Sequence, residues 1–293
     1  MKFGFIGAGK VGFSLGKYLA DNGQNVSGYY SELKEDAMEA SEFTDSEYYD
    51  NMEQLVEDSD VLFLTVSDGQ IENVWNQLKK CHFSYQECGK EENTPFLNNK
   101  IVCHCSGALS SEVFSDIAGC GSYGYSIHPL FAVSNKYQSY KELSNSYFTI
   151  EGSSEKIDEM KTLFESFGNH VCVVSAGDKV KYHAAAAIAS NLVAGLINIS
   201  ENLLKECGFD EEGAHKALTP IIKGNVNHIL ENGVVDALTG PIERNDTETV
   251  RKHLFALEEK IRKTYIAVSR QVLEIAKIKN KDRDYSKMEE ILK

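Results

Sequence analysis

An apolar run that breaks into regularly spaced glycines constrains this chain more than any other stretch. The first dozen residues read MKFGFIGAGKVG, with glycines at Gly7, Gly9 and Gly12. Residues 2–6 have the apolar character of a buried strand, and residues 10–22 have the spacing of a helix. In a strand–turn–helix unit each glycine of G-x-G-x-x-G has a mechanical task. The first permits the tight turn, the second lets backbone approach a pyrophosphate, and the third lets helix and strand pack closely. The helix N-terminus then offers unpaired N–H groups and the positive end of its dipole to phosphates. Gly7, Ala8, Gly9, Lys10, Val11 and Gly12 are therefore expected to hold a dinucleotide.

The pattern continues as alternating strands and helices up to about residue 176. Strands are expected at 25–30, 61–66, 100–105, 121–128, 147–151 and 170–174, with a short one near Tyr48 and Tyr49. Such alternation is the signature of a largely parallel α/β sheet. The run VLFLTV at 61–66 is continuously apolar, as a parallel strand covered on both faces would be. Helices are expected at 155–167 and from about Ser110. Residues 79–100 are polar and irregular and are expected to form a surface loop. Beyond residue 177 no strand is expected, and helices are placed at 178–207, 210–232 and 246–278, with a breaker at Thr239-Gly240-Pro241. The fold class is α/β: a Rossmann-type doubly wound, mostly parallel sheet (1–176), followed by an all-helical C-terminal domain (177–293).

Ligands of doubly wound sheets lie in the crevice at the carboxyl ends of the strands. Four such ends carry polar residues. Ser31 follows the second strand, where the adenosine ribose is met. Glu32 is expected to fall in the next helix. Val66, Ser67 and Asp68 follow the fourth, with Asp68 also suited to cap a helix starting at Gly69. Ser106 follows 100–105 and could donate to substrate or nicotinamide, and His128 stands before Pro129. Ser31 beside Glu32 and Lys34 leaves NADP as the expected cofactor with NAD not excluded.

On a helical wheel of about 100° per residue, His183, Ser190 and Asn191 share one side of 178–207, and Ile188, Leu192, Leu196 and Ile199 share the other. Lys181 falls on the apolar side. His183 suits proton transfer near neutral pH, and Asn191 could hold a substrate oxygen. Arg244 could clamp a carboxylate or phosphate, and Asp246 suits a helix N-cap.

Composition excludes some classes. A formal net charge of −14 disfavours nucleic-acid and acidic-membrane partners. No apolar run is expected to approach the roughly 18 residues of a membrane span, and the apolar start is too short for a signal peptide. Seven scattered cysteines then read as reduced thiols in a cytoplasmic chain. Cys103-His104-Cys105 lies on a strand whose alternate residues face opposite ways, and Cys81-His82 and Cys88 have no second pair, so no metal is expected.

Together, the glycine motif, VSD at Val66, CSGALS at Cys105, HPL at His128, YHAAAAIASN at Tyr182 and ALTGPIERND at Ala237 resemble a family that pairs a Rossmann-like NAD(P)-binding domain with a C-terminal helical domain of unknown function. The chain is more distantly similar to pyrroline-5-carboxylate reductase, the deazaflavin-dependent NADP oxidoreductases, prephenate dehydrogenase and the β-hydroxyacid dehydrogenases. The resemblance implies hydride transfer with a small polar substrate, and a homodimer built through a helical domain of the 6-phosphogluconate dehydrogenase C-terminal type. It departs from those relatives at Glu32, where NADP-preferring members often have Arg, and at Asn245, where Gly is common. The β-hydroxyacid dehydrogenases space a Lys and an Asn more tightly than Lys181 and Asn191. The expected roles are His183 as proton donor or acceptor with His128 as the other candidate, Ser106 and Asn191 lining the reacting end, and Ser190 and Arg244 toward substrate. The alternative is a sensor or scaffold that binds NADP(H) without turning it over.

Overall fold

A computed structural model describes residues 1–87 and 96–293, without the side chains of 83–87. Cys88 and the rest of 88–95, the middle of the expected 79–100 loop, lie outside the described residues. The chain divides into two compact units, Met1–Ala189 and Ser190–Lys293. The strands end at Val173, close to the expected boundary at 176, and the units part thirteen residues beyond that boundary (189 − 176).

The first unit carries β1 (Lys2–Ile6), α1 (Lys10–Asp21), β2 (Asn25–Tyr30), α2 (Lys34–Thr44), β3 (Glu47–Tyr48), α3 (Met52–Glu57), β4 (Val61–Leu64), α4 (Asp68–Glu87), β5 (Ile101–His104), β6 (Tyr123–Pro129), β7 (Tyr147–Gly152), α5 (Ile157–Ser166), β8 (His170–Val173) and α6 (Lys179–Ala189). Among the described residues the strands form one sheet in the order β3-β2-β1-β4-β5-β6-β7-β8. Every neighbouring pair is parallel except β6 and β7. Strand order reverses between β1 and β4, the point where such sheets open a crevice.

Period-two alternation sorts the apolar residues onto the two faces. Phe3, Phe5, Tyr29 and Phe63 belong to one core, where Phe5 stacks on Tyr29 at 5.0 Å and on Phe63 at 5.4 Å. Ile6, Leu62, Leu64 and Trp75 belong to the other. Both faces of β4 are buried, so its run is apolar at every position.

Several expectations need correction. The stretch from Ser110 is not an α-helix but a single 3-10 turn, Ser111–Val113. Ser111 donates through both its backbone N–H and its hydroxyl to the buried carboxylate of Glu151, at 2.7 Å each, and this fixes the chain locally. Residues 79–87 continue α4 rather than opening a loop. Glu32 precedes α2, whose N-cap is Leu33. Asp68 is the first residue of α4 rather than its cap.

The second unit holds α7 (Asn191–Glu206), α8 (Glu211–Ala237), α9 (Thr247–Ala256), α10 (Glu259–Lys279) and α11 (Ser286–Ile291). Two of the expected helices are broken. The stretch 178–207 becomes α6 and α7, because Ser190 has φ −123° and ψ −81°. The stretch 246–278 becomes α9 and α10, because Leu257 is extended. Asp246 caps α9 by accepting from the Thr249 N–H at 3.0 Å. A small core of Ile242, Val250, Leu273, Ala276, Tyr285, Met288 and Leu292 holds α9, α10 and α11. Contrary to expectation, one stretch, Ala176–Glu206, is long and apolar enough to cross a membrane by length and composition. It nevertheless breaks at Ser190 and starts beside the fully buried Lys179.

Candidate active site

The turn between β1 and α1 shows what each glycine is for. Gly7 has φ +100°, in the region that favours glycine. A Cβ on Gly12 would collide with the Thr65 hydroxyl and the Gly7 carbonyl. The Thr65 hydroxyl donates to that carbonyl at 2.6 Å, which clamps the turn against the end of β4. Gly9 differs, since the nearest atom to a Cβ there is the Thr65 carbonyl oxygen at 3.9 Å, an ordinary contact, and its φ of −74° suits any residue. Nothing in the folded chain requires a glycine at this position. Gly9 is also the N-cap of α1 and makes no side-chain cap bond to the first N–H groups of the helix.

Two cavities open at this turn and share Thr65, Val66 and Ser67. One, of about 720 Å³, is lined by Gly7, Ala8, Gly9, Tyr30, Ser31, Glu32, Asp36, Gln70 and Asn73, among others. The other, of about 370 Å³, is lined by Lys10, Val11, Asp68, Cys105 and Ser106, among others. The structure thus brings every sequence-derived cofactor residue to these cavities except Gly12, which packs behind the turn. The charged residues at the Ser31 end are Glu32 and Asp36. Lys34 turns away to Asp50 at 2.9 Å.

Beyond Asp68 the polar groups are tied together. Ser106 donates through its hydroxyl to Asp68 at 2.7 Å and accepts from the N–H groups of Ala108 and Leu109. That hydroxyl therefore holds its own turn and is not an open donor to a ligand. The backbone N–H of Ser106 donates to His104 Nδ1 at 3.1 Å, which places the His104 proton on Nε2, facing the Ser110 carbonyl at 3.2 Å. His104 is buried on all sides, and burial pushes its pKa down to about 4, so its imidazole is neutral.

Lys179, 1% exposed, is the residue that the sequence reading missed. It donates to the Ser106 carbonyl at 3.0 Å and to the Ser126 hydroxyl at 2.6 Å. Burial pulls its pKa down to about 8, with Glu151 the strongest opposing charge. The wheel held a signal, because Lys179 stands four positions before His183 and shares its side of the helix. Lys181, which was weighed instead, is exposed and pairs with Asp178 at 3.7 Å.

His128 and His183 meet beside Gly107, with ring centroids 6.5 Å apart. A Cβ on Gly107 would stand 2.7 Å from His183 Cδ2 and 2.9 Å from His128 Nε2, so the bare glycine leaves the room for both rings. His128 Nδ1 lies 2.8 Å from the Tyr182 hydroxyl. Burial, followed by the charges of Lys179 and His183, pushes the His128 pKa down to about 4. His183 is exposed. Ser190, Asn191 and Arg244 belong to the second unit; the Ser190 hydroxyl donates to Asn191 Oδ1 at 3.1 Å, and Arg244 is exposed. With the helix broken at Ser190, the continuous stripe expected from His183 to Asn191 does not form. The second unit has its own cavity of about 620 Å³, mostly apolar, with His253 and Tyr265 paired at 2.9 Å in its lining. Among the described residues no cluster of His, Cys, Asp and Glu could hold a metal, and the six described cysteines are free thiols.

The neutral state of His104 sets a pH dependence. Its pKa is lower in the folded chain (about 4) than in the unfolded one (about 6.5), so the unfolded state binds the extra proton between these values. Stability from this group is complete above pH 6.5 and is lost as pH falls toward 4, by at most roughly 1.4 kcal/mol per pH unit. His104→Asn, which keeps an acceptor for the Ser106 N–H, should flatten the urea-unfolding free energy across this window relative to the wild-type chain.

Residues 2–84 match the family described as NADP oxidoreductase, coenzyme F420-dependent, and residues 146–272 match a domain of unknown function, DUF2520. No curated protein matches the chain. Among solved structures, a protein from Thermotoga maritima is similar at 24% identity and TM-score 0.68, covering 93% of this chain and 98% of its own. A Bacteroides fragilis protein assigned provisionally as an NADP oxidoreductase is similar at 21% identity and TM-score 0.68, with the same coverage. Plasmodium falciparum pyrroline carboxylate reductase, solved with NADP bound, is similar at 16% identity and TM-score 0.59, covering 95% of this chain and 98% of its own. An N-terminal stretch thus matches the NADP oxidoreductase, coenzyme F420-dependent, model and a C-terminal stretch matches the DUF2520 model, on a Rossmann-like fold.

Proposed function

We propose that this protein is an NADP(H)-dependent oxidoreductase acting on a small polar metabolite, one that can carry a carboxylate. The observation that carries the reading is Gly9, a glycine that the fold does not need, at the open N-terminus of a helix in a glycine turn. The matched family and the NADP-bound structural relatives point the same way.

The backbone from Gly7 to Val11 would hold the pyrophosphate against the α1 dipole, with Gly12 packed behind the turn. Ser31 meets the adenosine ribose, and Val66, Ser67 and Asp68 form the opposite wall. When bound, the dinucleotide supplies or accepts a hydride. The chain's own residues handle the proton and the substrate's polar atom. His128 is neutral at physiological pH, because its pKa lies near 4, so it serves as a hydrogen-bond donor rather than as an imidazolium acid. His183, exposed beside it at Gly107, is the group that moves the proton. The protein works in the cytoplasm, which the free thiols of its six described cysteines suit. It works as a homodimer through the helical unit, where Leu192, Leu196, Ile221, Leu230 and Phe255 are exposed.

Four outcomes test this reading. Gly9→Val should weaken NADPH binding, measured by titration calorimetry, by at least about tenfold. The melting temperature of the free protein should change much less than the affinity, since the nearest atom to a Cβ at Gly9 is the Thr65 carbonyl oxygen at 3.9 Å, an ordinary contact, and only the modest N-cap preference for Gly over Val is lost. Glu32→Gln should improve NADPH affinity relative to NADH by roughly five-fold, equivalent to about 1 kcal/mol of relieved repulsion with the 2′-phosphate. In a panel of small imines, keto acids and hydroxy acids, at least one compound should change the reduced-nicotinamide absorbance. His183→Ala should lower that rate by roughly 100-fold without altering NADPH affinity. Tight NADPH binding with no turnover across the panel would favour the sensor alternative instead.

A further inference from the structure

A second layer of side chains stands behind His128, and the catalytic reading above makes no use of it. His128 has two ring nitrogens with different surroundings. Nε2 lies beside Gly107, on the side of the ring where His183 stands. Nδ1 faces the Tyr182 hydroxyl at 2.8 Å, and the two rings meet edge to face at 5.6 Å. Tyr182 is one helical position before His183, so one short stretch of α6 presents one ring to the back of His128 and another to its front. Tyr182 is held in turn, because Lys179 lies over its ring at 5.7 Å and is anchored to the Ser106 carbonyl and the Ser126 hydroxyl.

We propose that Tyr182 is a positioning residue: its hydroxyl donates to His128 Nδ1 and so fixes His128 as the Nε2–H tautomer, aimed at the substrate's polar atom beside Gly107. A neutral imidazole carries one N–H, and the partner of one nitrogen decides where that proton sits. A phenol is a strong donor, and the unprotonated ring nitrogen of imidazole is a far better acceptor than a phenol oxygen. Burial raises the Tyr182 pKa, so the donor keeps its proton. The other titratable groups facing His128 are Lys179, His183, Asp68 and His104. Burial first, then Lys179, His183 and His104, oppose an imidazolium at His128, while Asp68 favours it, so the ring is neutral and only its tautomer is left to be set. With Tyr182 as donor, the Nε2–H is a fixed donor to the oxygen or nitrogen that gains electron density when hydride adds to its neighbouring carbon. No proton leaves His128 in that role; the proton is moved by His183.

This inference rests on the oxidoreductase reading for its purpose, but its test does not need a substrate. Nitrogen-15 NMR of the full chain, with histidine labelled and His128 assigned by His128→Gln, reads the tautomer directly. The wild-type protein should show Nδ1 as the unprotonated, acceptor-type nitrogen and Nε2 as the protonated one throughout pH 6–8. Tyr182→Phe, which keeps the ring, should lose that asymmetry and bring the two nitrogen signals toward each other. Should the variant fail to fold, protein made with 3-fluorotyrosine replaces it, and the stronger phenol donor should move the Nδ1 signal. A protonated Nδ1 in the wild type overturns the proposal, and so does an unchanged tautomer in Tyr182→Phe or an unmoved signal with fluorotyrosine. The two readings fail separately. An Nε2–H tautomer without any NADPH turnover overturns the oxidoreductase function alone, whereas turnover with the opposite tautomer overturns only the role of Tyr182.

Discussion

The Thr65 hydroxyl bonded to the Gly7 carbonyl is the contact on which the rest of the site depends. It joins the turn after β1 to the end of β4, the two strands between which the order of the sheet reverses. For the hydroxyl to reach, α1 must start close to the sheet, and that requires a residue without a side chain at position 12. For the turn to offer its carbonyl, position 7 must take φ +100°. Two glycines are thus accounted for by internal packing, and the third is left over. A buried hydroxyl–carbonyl bond contributes only about 1 kcal/mol net. Its larger effect is geometric, since it sets where the helix N-terminus points and where the Val66–Asp68 wall stands relative to it.

From Asp68 the constraint passes along the strand ends as one chain of hydrogen bonds. Asp68 accepts from the Ser106 hydroxyl, the Ser106 carbonyl accepts from Lys179, and Lys179 also holds Ser126 on β6. A buried ammonium is costly unless its donors are satisfied, and here two are met by the carbonyl and the hydroxyl. The consequence is that α6 does not merely follow the sheet. Its first residue is locked under the β5 and β6 ends, and this determines where Tyr182 and His183, three and four positions on, come to rest beside His128.

The fold was legible because its signals are local and repeated. The strands at Asn25–Tyr30 and Val61–Leu64 and the cap at Asp246 follow from period, length and a single side-chain acceptor. The glycine turn was legible because sequence context limits what G-x-G-x-x-G can be. The reading failed where a distant partner decides local structure. Residues 111–113 stop at one turn because Ser111 is held by Glu151, forty positions away. Ser106 looked like a free donor in a strand-end turn, but its hydroxyl is spent on Asp68 and on the two N–H groups that follow it. Lys179 lies outside the stretch Lys181–Asn191 on which the wheel is drawn, and the apolar stripe of 188–199 makes the other side of that wheel. That stripe belongs to the far side of a helix that breaks at Ser190, and α6 alone has too few residues to give a reliable face.

The same comparison separates two kinds of polar residue at the site. Groups bonded at two or more atoms within the chain, such as Ser106, His104 and Lys179, have their geometry fixed before any ligand arrives. Such groups supply preorganisation and contribute little direct affinity. Groups with an atom facing open space, such as the α1 N-terminus at Gly9, Ser31 and His183, are those that the proposed dinucleotide and substrate would meet. A sequence motif registers the second kind more readily, since a ligand's chemistry restricts residue type at a fixed spacing. The first kind is scattered over β5, β6, β7 and α6, at positions 104, 106, 126, 151 and 179, and only the folded sheet brings them together. A close reading of one sequence therefore finds the cofactor end of such a site first. The reacting end, where catalysis needs fixed dipoles, emerges only when the strand ends are side by side.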